Sequence, residues 1–430
     1  MANFITKLFK KNVEKKFYTA SSLGGAAWGR PRMLTPIRAM EYYSTVAPLF
    51  SAIHMTSSEV GSLDLCLRNV ESGELEFNSE ILDLLKFPNA DCTQYEFMVQ
   101  LSTFYKLTGN AFIVATGPVN RPASELYVIN PTNVVLNLGS DGLLDSVQIM
   151  VNGKVEDEFH RTDVDGRFRY YSSSDSEIWH IKSFNTRYGA GDPWGFSELS
   201  PITMELEQYY ESSVHNLSLL KRGARPSGAI KVSEILTDDQ FQRLQQQLEQ
   251  FYSGSQNAGR SMILEGGDFV EMSQSNKDMD FASLKKDITA TIYTALKIPL
   301  PIVSAEYSSY NNMETAKLNF YDNCVLPLAK RLLEELTVFL MHRYQGQDRM
   351  ELVYDGDKVE ALEPRRNQEL LKLKDSGALT INEIRRKLGY DDIPGGEVLY
   401  IPTNLTPLGQ DITPETAAKI NTILNNNKSK

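Results

Sequence analysis

At 430 residues, with 41% hydrophobic and 23% charged side chains, the chain has the makeup of a folded protein of two to three domains, which excludes wholesale disorder. Its 44 Lys+Arg against 55 Asp+Glu leave a formal net charge of -11, the wrong sign for a tight binder of phosphate backbones that reads base sequence. Cys66, Cys92 and Cys324 are too scattered for a disulfide framework or a metal spacing, and suit a reducing cytoplasm.

From Met1 to Phe17, Phe4, Ile5, Leu8 and Phe9 sit among Lys7, Lys10, Lys11, Lys15 and Lys16. This stretch lacks a signal-peptide apolar core, and it reads as a solvated or partner-binding arm in preference to a membrane-surface helix. A Gly/Pro-rich stretch from Gly24 to Pro36 separates it from a block that alternates helix and strand. In the stretch from Glu41 to Leu63 one helix is expected, ending near Gly61 ahead of a strand at Leu63 to Leu67, and another helix from Tyr95 to Leu107, stopped at Gly109-Asn110. Strands follow at Ala111 to Ala115, Leu126 to Ile129, Val134 to Leu138 and Ile178 to Ile181, with Asp141-Gly142 and Asn152-Gly153 as hairpin turns. Residues 35 to 198 thus read as an α+β domain.

Beyond Gly195 the pattern turns to long helices. Ser200-Pro201 supplies a cap and a first-turn proline for one that Gly223 should stop. A compact insert follows, in which Thr237-Asp238-Asp239-Gln240 forms a capping box ahead of a Phe241, Leu244, Leu248 and Phe251 stripe. A second helix starts near Asp280 and must break at Ile298-Pro299-Leu300-Pro301. A third runs from about Met313 to Tyr344 with Pro327 inside it, expected as a kink. Its start near Asn312-Met313-Glu314 offers a capping Asn. Shorter helices around Pro364 to Lys374 and Thr380 to Leu388 precede a Pro/Gly-rich end. No stretch reaches the roughly 18 apolar residues of a membrane-spanning helix.

Catalytic and metal motifs are missing where they would be recognisable. Gly24-Gly25-Ala26-Ala27-Trp28-Gly29 has P-loop glycine spacing, but Arg30-Pro31 replaces the lysine and hydroxyl that would hold a nucleoside triphosphate and its magnesium. Asp163-Val164-Asp165-Gly166 lacks the downstream bidentate Glu of a calcium loop. The five histidines form no pair at ligand spacing, and His180, in an apolar strand, reads as a packing residue. Glu334-Glu335 beside Lys330 and Arg331 reads as a solvated helix face.

Several ordered strings resemble the portal proteins of tailed phages, in the branch that includes Hong Kong 97-like siphoviruses and gene-transfer particles. They are Asp192-Pro193-Trp194-Gly195-Phe196-Ser197-Glu198-Leu199-Ser200-Pro201, Arg225-Pro226-Ser227-Gly228, Leu264-Glu265-Gly266-Gly267, Asn276 to Phe281, and Asn311-Asn312-Met313-Glu314 continuing to Leu326-Pro327-Leu328. Ile381-Asn382-Glu383-Ile384-Arg385 with Gly389-Tyr390 and Gly395-Gly396 agrees more loosely. The likeness spans roughly residues 105 to 405.

The resemblance implies an α+β portal fold, assembled as a ring that is usually dodecameric, at one capsid vertex. Its parts would be a flexible arm (1–34), a wing (35–198), stem helices (199–222 and 280–297) flanking a small α/β clip (223–279), a tunnel loop (298–312), a long kinked wing helix (313–345), and a helical crown with tail (346–430). Channel-lining positions would be Pro299, Leu300, Ile302, Val303, Tyr307, Tyr310, Asn311 and Asn312. Lys221 and Arg222 would be basic points on the stem, and Thr237, Asp238, Asp239, Phe241, Leu244, Leu248 and Phe251 would build the clip docking surface. Double-stranded DNA would pass without sequence specificity. The implied partners are a terminase motor, a head–tail adaptor and the major capsid protein, with no membrane, catalytic residue, metal or cofactor. The setting is a virion assembled in a bacterial cytoplasm. An acidic balance suits such a passage, where adhesion to phosphates would be a defect. The rivals are another head–tail connector or minor capsid protein, and a nucleic-acid-processing enzyme, which would need clustered carboxylates.

Overall fold

The computed structural model describes residues 17–18, 34–119, 121–164, 166–186, 192–221, 228–232, 237, 239–240, 242–243, 246, 267–271, 281–304, 310–344, 349–375, 379–387 and 390–397. These fall into two compact units, one ending at Lys358 and the other beginning at Val359.

In the first unit, Thr35 caps α1 (Pro36–Thr45) by accepting the Arg38 amide hydrogen, and α2 (Ala47–Gly61) follows at once. The single helix expected from Glu41 is therefore two. Pro48 has no N–H to give the Ser44 carbonyl, and Val46 is extended at φ -103° and ψ 95°, so the ladder breaks there. A three-stranded sheet joins β2 (Leu65–Asn69) to β3 (Leu75–Glu76) on one side and to β13 (Met350–Tyr354) on the other. Ser79 caps α3 (Glu80–Lys86), which is too short to show periodicity in the sequence. The reciprocal Thr93–Glu96 capping box opens α4 (Gln94–Thr108), and Gly109, at φ 71°, closes it as a left-handed cap.

An eight-stranded antiparallel sheet occupies most of the unit. Its strands are β1 (Phe17–Tyr18), β4 (Asn110–Thr116), β5 (Glu125–Ile129), β6 (Val134–Leu138), β7 (Leu144–Val151), β8 (Lys154–Val164), β9 (Arg167–Ser172) and β10 (Glu177–Lys182), in the order β1-β6-β7-β8-β9-β10-β4-β5. β5 lies at one end and β6 next to the other, yet only Asn130 and the turn Pro131–Asn133 join them. The sheet must curl to bring these ends together. Its inner face is one apolar cluster, with Phe112, Val134, Leu136, Val147, Phe159 and Ile178 closing on Trp194. Asn152 (φ 51°) and Gly153 (φ 77°) both take the left-handed conformation that a two-residue hairpin turn requires, as their dipeptide predicts. β8 and β9 escape the sequence reading because Lys, Glu, Asp and Arg fill their solvent-facing positions.

Helices pack on one end of this sheet, α4 against β4 and β5 and the helix that contains Pro327 against β10. α5 (Thr203–Lys221) and α6 (Phe281–Ala295) pair side by side. α7 (Leu300–Val303) leads to α8 (Tyr310–Phe320), a π-helical turn at Tyr321–Val325, and α9 (Leu326–Leu340). The buried stripe of α9, Leu328, Leu332, Leu336, Phe339 and Leu340, packs on β13, β10, α2 and α4. The irregularity falls just before Pro327. That ring has no hydrogen for the Asn323 carbonyl and crowds it, so the chain widens into a π turn. In the sequence this was a bend in one helix. It is an interruption between two.

The second unit holds α10 (Glu363–Asp375) and α11 (Ile381–Lys387). Asn382, buried, donates to the Ile393 carbonyl (3.1 Å) and accepts the Ile393 amide hydrogen (3.0 Å), while its own N–H reaches Gly396 O (2.9 Å). A Cβ at Gly396 would strike Asn382 Oδ1. The Ile381-Asn382-Glu383 and Gly395-Gly396 strings are thus two halves of one clamp.

Candidate functional site

The helix pair begins in a polar lock formed by the Asp192-to-Pro201 string. Asn110 Oδ1 accepts the Gly195 amide hydrogen (2.7 Å), and its Nδ2 donates to Thr108 O (2.7 Å) and Gly195 O (3.2 Å). With Oδ1 fixed as the acceptor, His180 Nε2, 2.9 Å away, must carry its proton and donate. Burial holds the His180 imidazole well below its ordinary pKa, and the charge of Lys182 adds to that. Stacked on Phe112, it is the neutral packing residue its strand suggested. Ser197 Oγ donates to Leu107 O (2.6 Å), and Glu198 pairs with the buried Lys106. A Cβ on Gly195 would collide with Gly109 O, and one on Gly109 with Phe196 O. Gly195→Ala should therefore cost about 1–3 kcal/mol or more by overpacking, read as a lower urea midpoint with an unchanged slope.

From this lock Ser200–Ile202 winds as a 3-10 turn into α5. α5 and α6 pack together, with Lys285 Nζ 5.2 Å from the centre of the Tyr209 ring, and each has buried residues, Leu206 and Ser212 on α5 and Ile288, Ile292 and Tyr293 on α6. Lys221 is the last residue of α5, and Arg222 lies outside the described residues. Between the helices, β11 (Gly228–Val232) and β12 (Gly267–Glu271) form an antiparallel ribbon. The Thr237 amide and hydroxyl both donate to Gln240 Oε1 at 3.0 Å, as the capping-box pattern predicts. Thr237 and Asp239 are exposed, whereas Asp238, Phe241, Leu244, Leu248 and Phe251 lie outside the described residues.

The segment after α6 is more ordered than the loop expected from its prolines. Lys297 turns left-handed (φ 63°), and the Ile298 amide bonds back to Tyr293 O at 2.8 Å. Ile298 is 2% exposed and anchors the segment, while Pro299, Leu300, Ile302 and Val303 are half-buried in and around α7. Tyr307 lies outside the described residues. Tyr310 and Asn311 are already inside α8, and Asn312 is exposed on it. Asn312 therefore does not cap this helix, which starts upstream. Once the following turns are anchored by Ala316 and Phe320, weak local propensity does not prevent an earlier start.

A charged network that sequence reading missed fastens the end of α9 and the turn after it to the sheet. Glu177, 0% exposed, accepts from Arg169 Nη1 (2.8 Å) and from Arg343 Nη2 (2.9 Å) and Nε (3.1 Å), with His342 Nε2 3.4 Å away. Burial alone would push its carboxyl up. The hydrogen bonds from His342 and Arg169 and the charges of His342 and Arg343 outweigh that and hold it below the ordinary range. Glu335 also departs from expectation. It accepts the Trp179 indole hydrogen at 2.9 Å and pairs with Arg331 at 2.6 Å, because its side of α9 faces β10 while Glu334 stays in solvent. Among the described residues no group of three or more His, Cys, Asp and Glu is placed to hold a metal ion, and no helix is long and apolar enough to cross a membrane.

The arrangement has the parts of a structural subunit: a curled sheet, a helix pair carrying a ribbon, and a short apolar segment held between packed helices. Residues 47–389 match the family model described as phage portal protein. The chain is 28% identical to a chain of the virion of a native gene transfer agent particle, with a TM-score of 0.55 over 87% of this chain and 98% of that one. It is 27% identical, with the same TM-score and coverage, to a chain in the neck of the native particle computed with C12 symmetry. An uncharacterized protein of Rickettsia bellii (strain RML369-C) is 27% identical over 398 residues, 91% of this chain and 98% of that protein. With a family match across most of its length and a fold shared with those particles, the chain belongs to the phage portal protein family.

Proposed function

We propose that this chain is one subunit of a ring, twelve-fold in the assembled particle, through whose axial channel double-stranded DNA passes during packaging and ejection. The observation that carries this reading is the near-complete coverage of a gene-transfer-agent neck chain, from a structure computed with C12 symmetry, on top of the family match. The paired helices α5 and α6 form the stem, and the β11–β12 insert forms the clip, where a terminase motor and then a head–tail adaptor dock. The curled sheet with α1–α4 is the wing, which seats in the shell of major capsid protein. We draw the crown from Val359, because Met350–Tyr354 completes the sheet of β2 and β3 and belongs with the wing. The segment 298–312 is the tunnel segment, with Val303 and Ile302 towards the DNA and Lys221 and Arg222 as the basic points of the stem. This role needs no catalytic group or cofactor.

Negative-stain images of the purified full chain test the reading. Rings with a central hole are expected, together with no ATPase and no metal-dependent cleavage of DNA. A strictly monomeric sedimentation profile at high concentration, or nuclease activity of the pure protein, overturns it.

A further inference from the structure

A groove of 340 Å³ runs between α1 and α5, the first helix of the pair assigned to the stem. Arg38, Glu41, Tyr42, Glu207, Tyr210 and Glu211 line it. Arg38 crosses the groove, donating to Glu207 (2.9 Å) and to the Tyr42 hydroxyl (2.9 Å). Among the described residues the carboxylates of Glu41 and Glu211 have no ion-pair partner, so the groove carries three acids against one base.

Its rim is apolar. Helical spacing places Ile37 on the stripe of Glu41, and Met204 and Val214 on the stripe of Glu207 and Glu211. All three are exposed, Met204 at 63%, as is Tyr210 at 39%. Tyrosines and acids in the lining, with exposed apolar side chains on the same helix stripes, suit an amphipathic basic helix.

The chain contains one such sequence. In residues 1–16, helical spacing would gather Phe4, Ile5, Leu8 and Phe9 on one face, flanked by Lys7, Lys10, Lys11, Lys15 and Lys16 with Glu14 as the lone acid. Phe17 and Tyr18 pair with Asn137 and Leu136 of β6, and the Pro131–Asn133 turn that feeds β6 packs against α1, the groove's own wall. Sixteen residues span about 24 Å as a helix and up to about 50 Å extended, so the groove is within reach.

We propose that the basic N-terminal segment, residues 1–16, docks in the groove between α1 and α5, its apolar face on Tyr42, Tyr210 and Met204 and its lysines on Glu41, Glu207 and Glu211. The docked segment covers an apolar strip beside the stem helix and neutralises its acids.

Carbodiimide coupling of the assembled full chain, followed by peptide mass spectrometry, tests this, because the reagent joins only amines and carboxylates in contact. The exposed Lys358–Asp64 pair, 3.2 Å apart, is the internal control. With that link formed, the arm lysines are expected to couple to Glu41, Glu207 or Glu211. Leu8→Ser, which removes no coupling group, should lower the yield roughly tenfold through lost apolar burial. Arm lysines that couple mainly to other acids, or not at all while the control forms, overturn the proposal. So does an undiminished groove link in Leu8→Ser.

Discussion

Val303→Asp should still yield rings but package little or no DNA, whereas Leu332→Asp should yield no rings. Val303 is half-buried at the end of α7, so a carboxylate there keeps access to water and costs the subunit little. In a twelve-fold ring the same change sets a collar of like charges at the constriction, against which a phosphate backbone must move. Leu332 is fully buried on the α9 stripe. An unpaired carboxylate there has no solvent and no partner, a cost of several kcal/mol that exceeds much of a domain's typical stability. Ring yield by gel filtration, set against packaged DNA per particle, separates the two outcomes. If Val303→Asp also fails to assemble, the segment belongs to the subunit core and its assignment to the channel wall fails.

Glu177→Ala is the second change expected to have a large effect, a loss of about 3–5 kcal/mol, because it strands Arg169 and Arg343 in the interior without their counter-charge. Glu177→Gln should cost less, since an amide keeps one acceptor for the guanidinium groups. The pH dependence has a definite sign. The folded carboxyl is held below its unfolded value of about 4.3, so its contribution is complete above that pH and is lost as pH falls through the depressed folded value. Urea melts of the wild type and Glu177→Gln at neutral pH and near pH 4 should show the variant with the shallower loss on acidification. Equal slopes would mean that the carboxylate is not what joins α9 to β9 and β10.

How much of this was legible in the residues depends on whether the signal was local. The capping pattern at Thr237, the Asn152-Gly153 turn and the break after Ile298 were readable, because each is decided by groups a few residues apart. The ordered strings that carried the family resemblance were readable for the same reason. The Asp192-to-Pro201 string was one of them, and by itself it says nothing of its structural task. Only the fold shows what the string does: Asn110 closes on Gly195 across 85 residues of chain and is itself bonded to His180, 70 residues further on.

The helix starting at Tyr310, the division of the Glu41–Leu63 stretch and the π turn before Pro327 depended on competition between local propensity and packing, which one-dimensional spacing does not weigh. The Glu177 network was invisible altogether. A lone Glu, an Arg eight residues before it and a His-Arg pair 165 residues after it are indistinguishable in sequence from solvated charges. Their burial follows from the curl of the sheet and the seating of α9, and the interior's low polarity then makes their pairing obligatory.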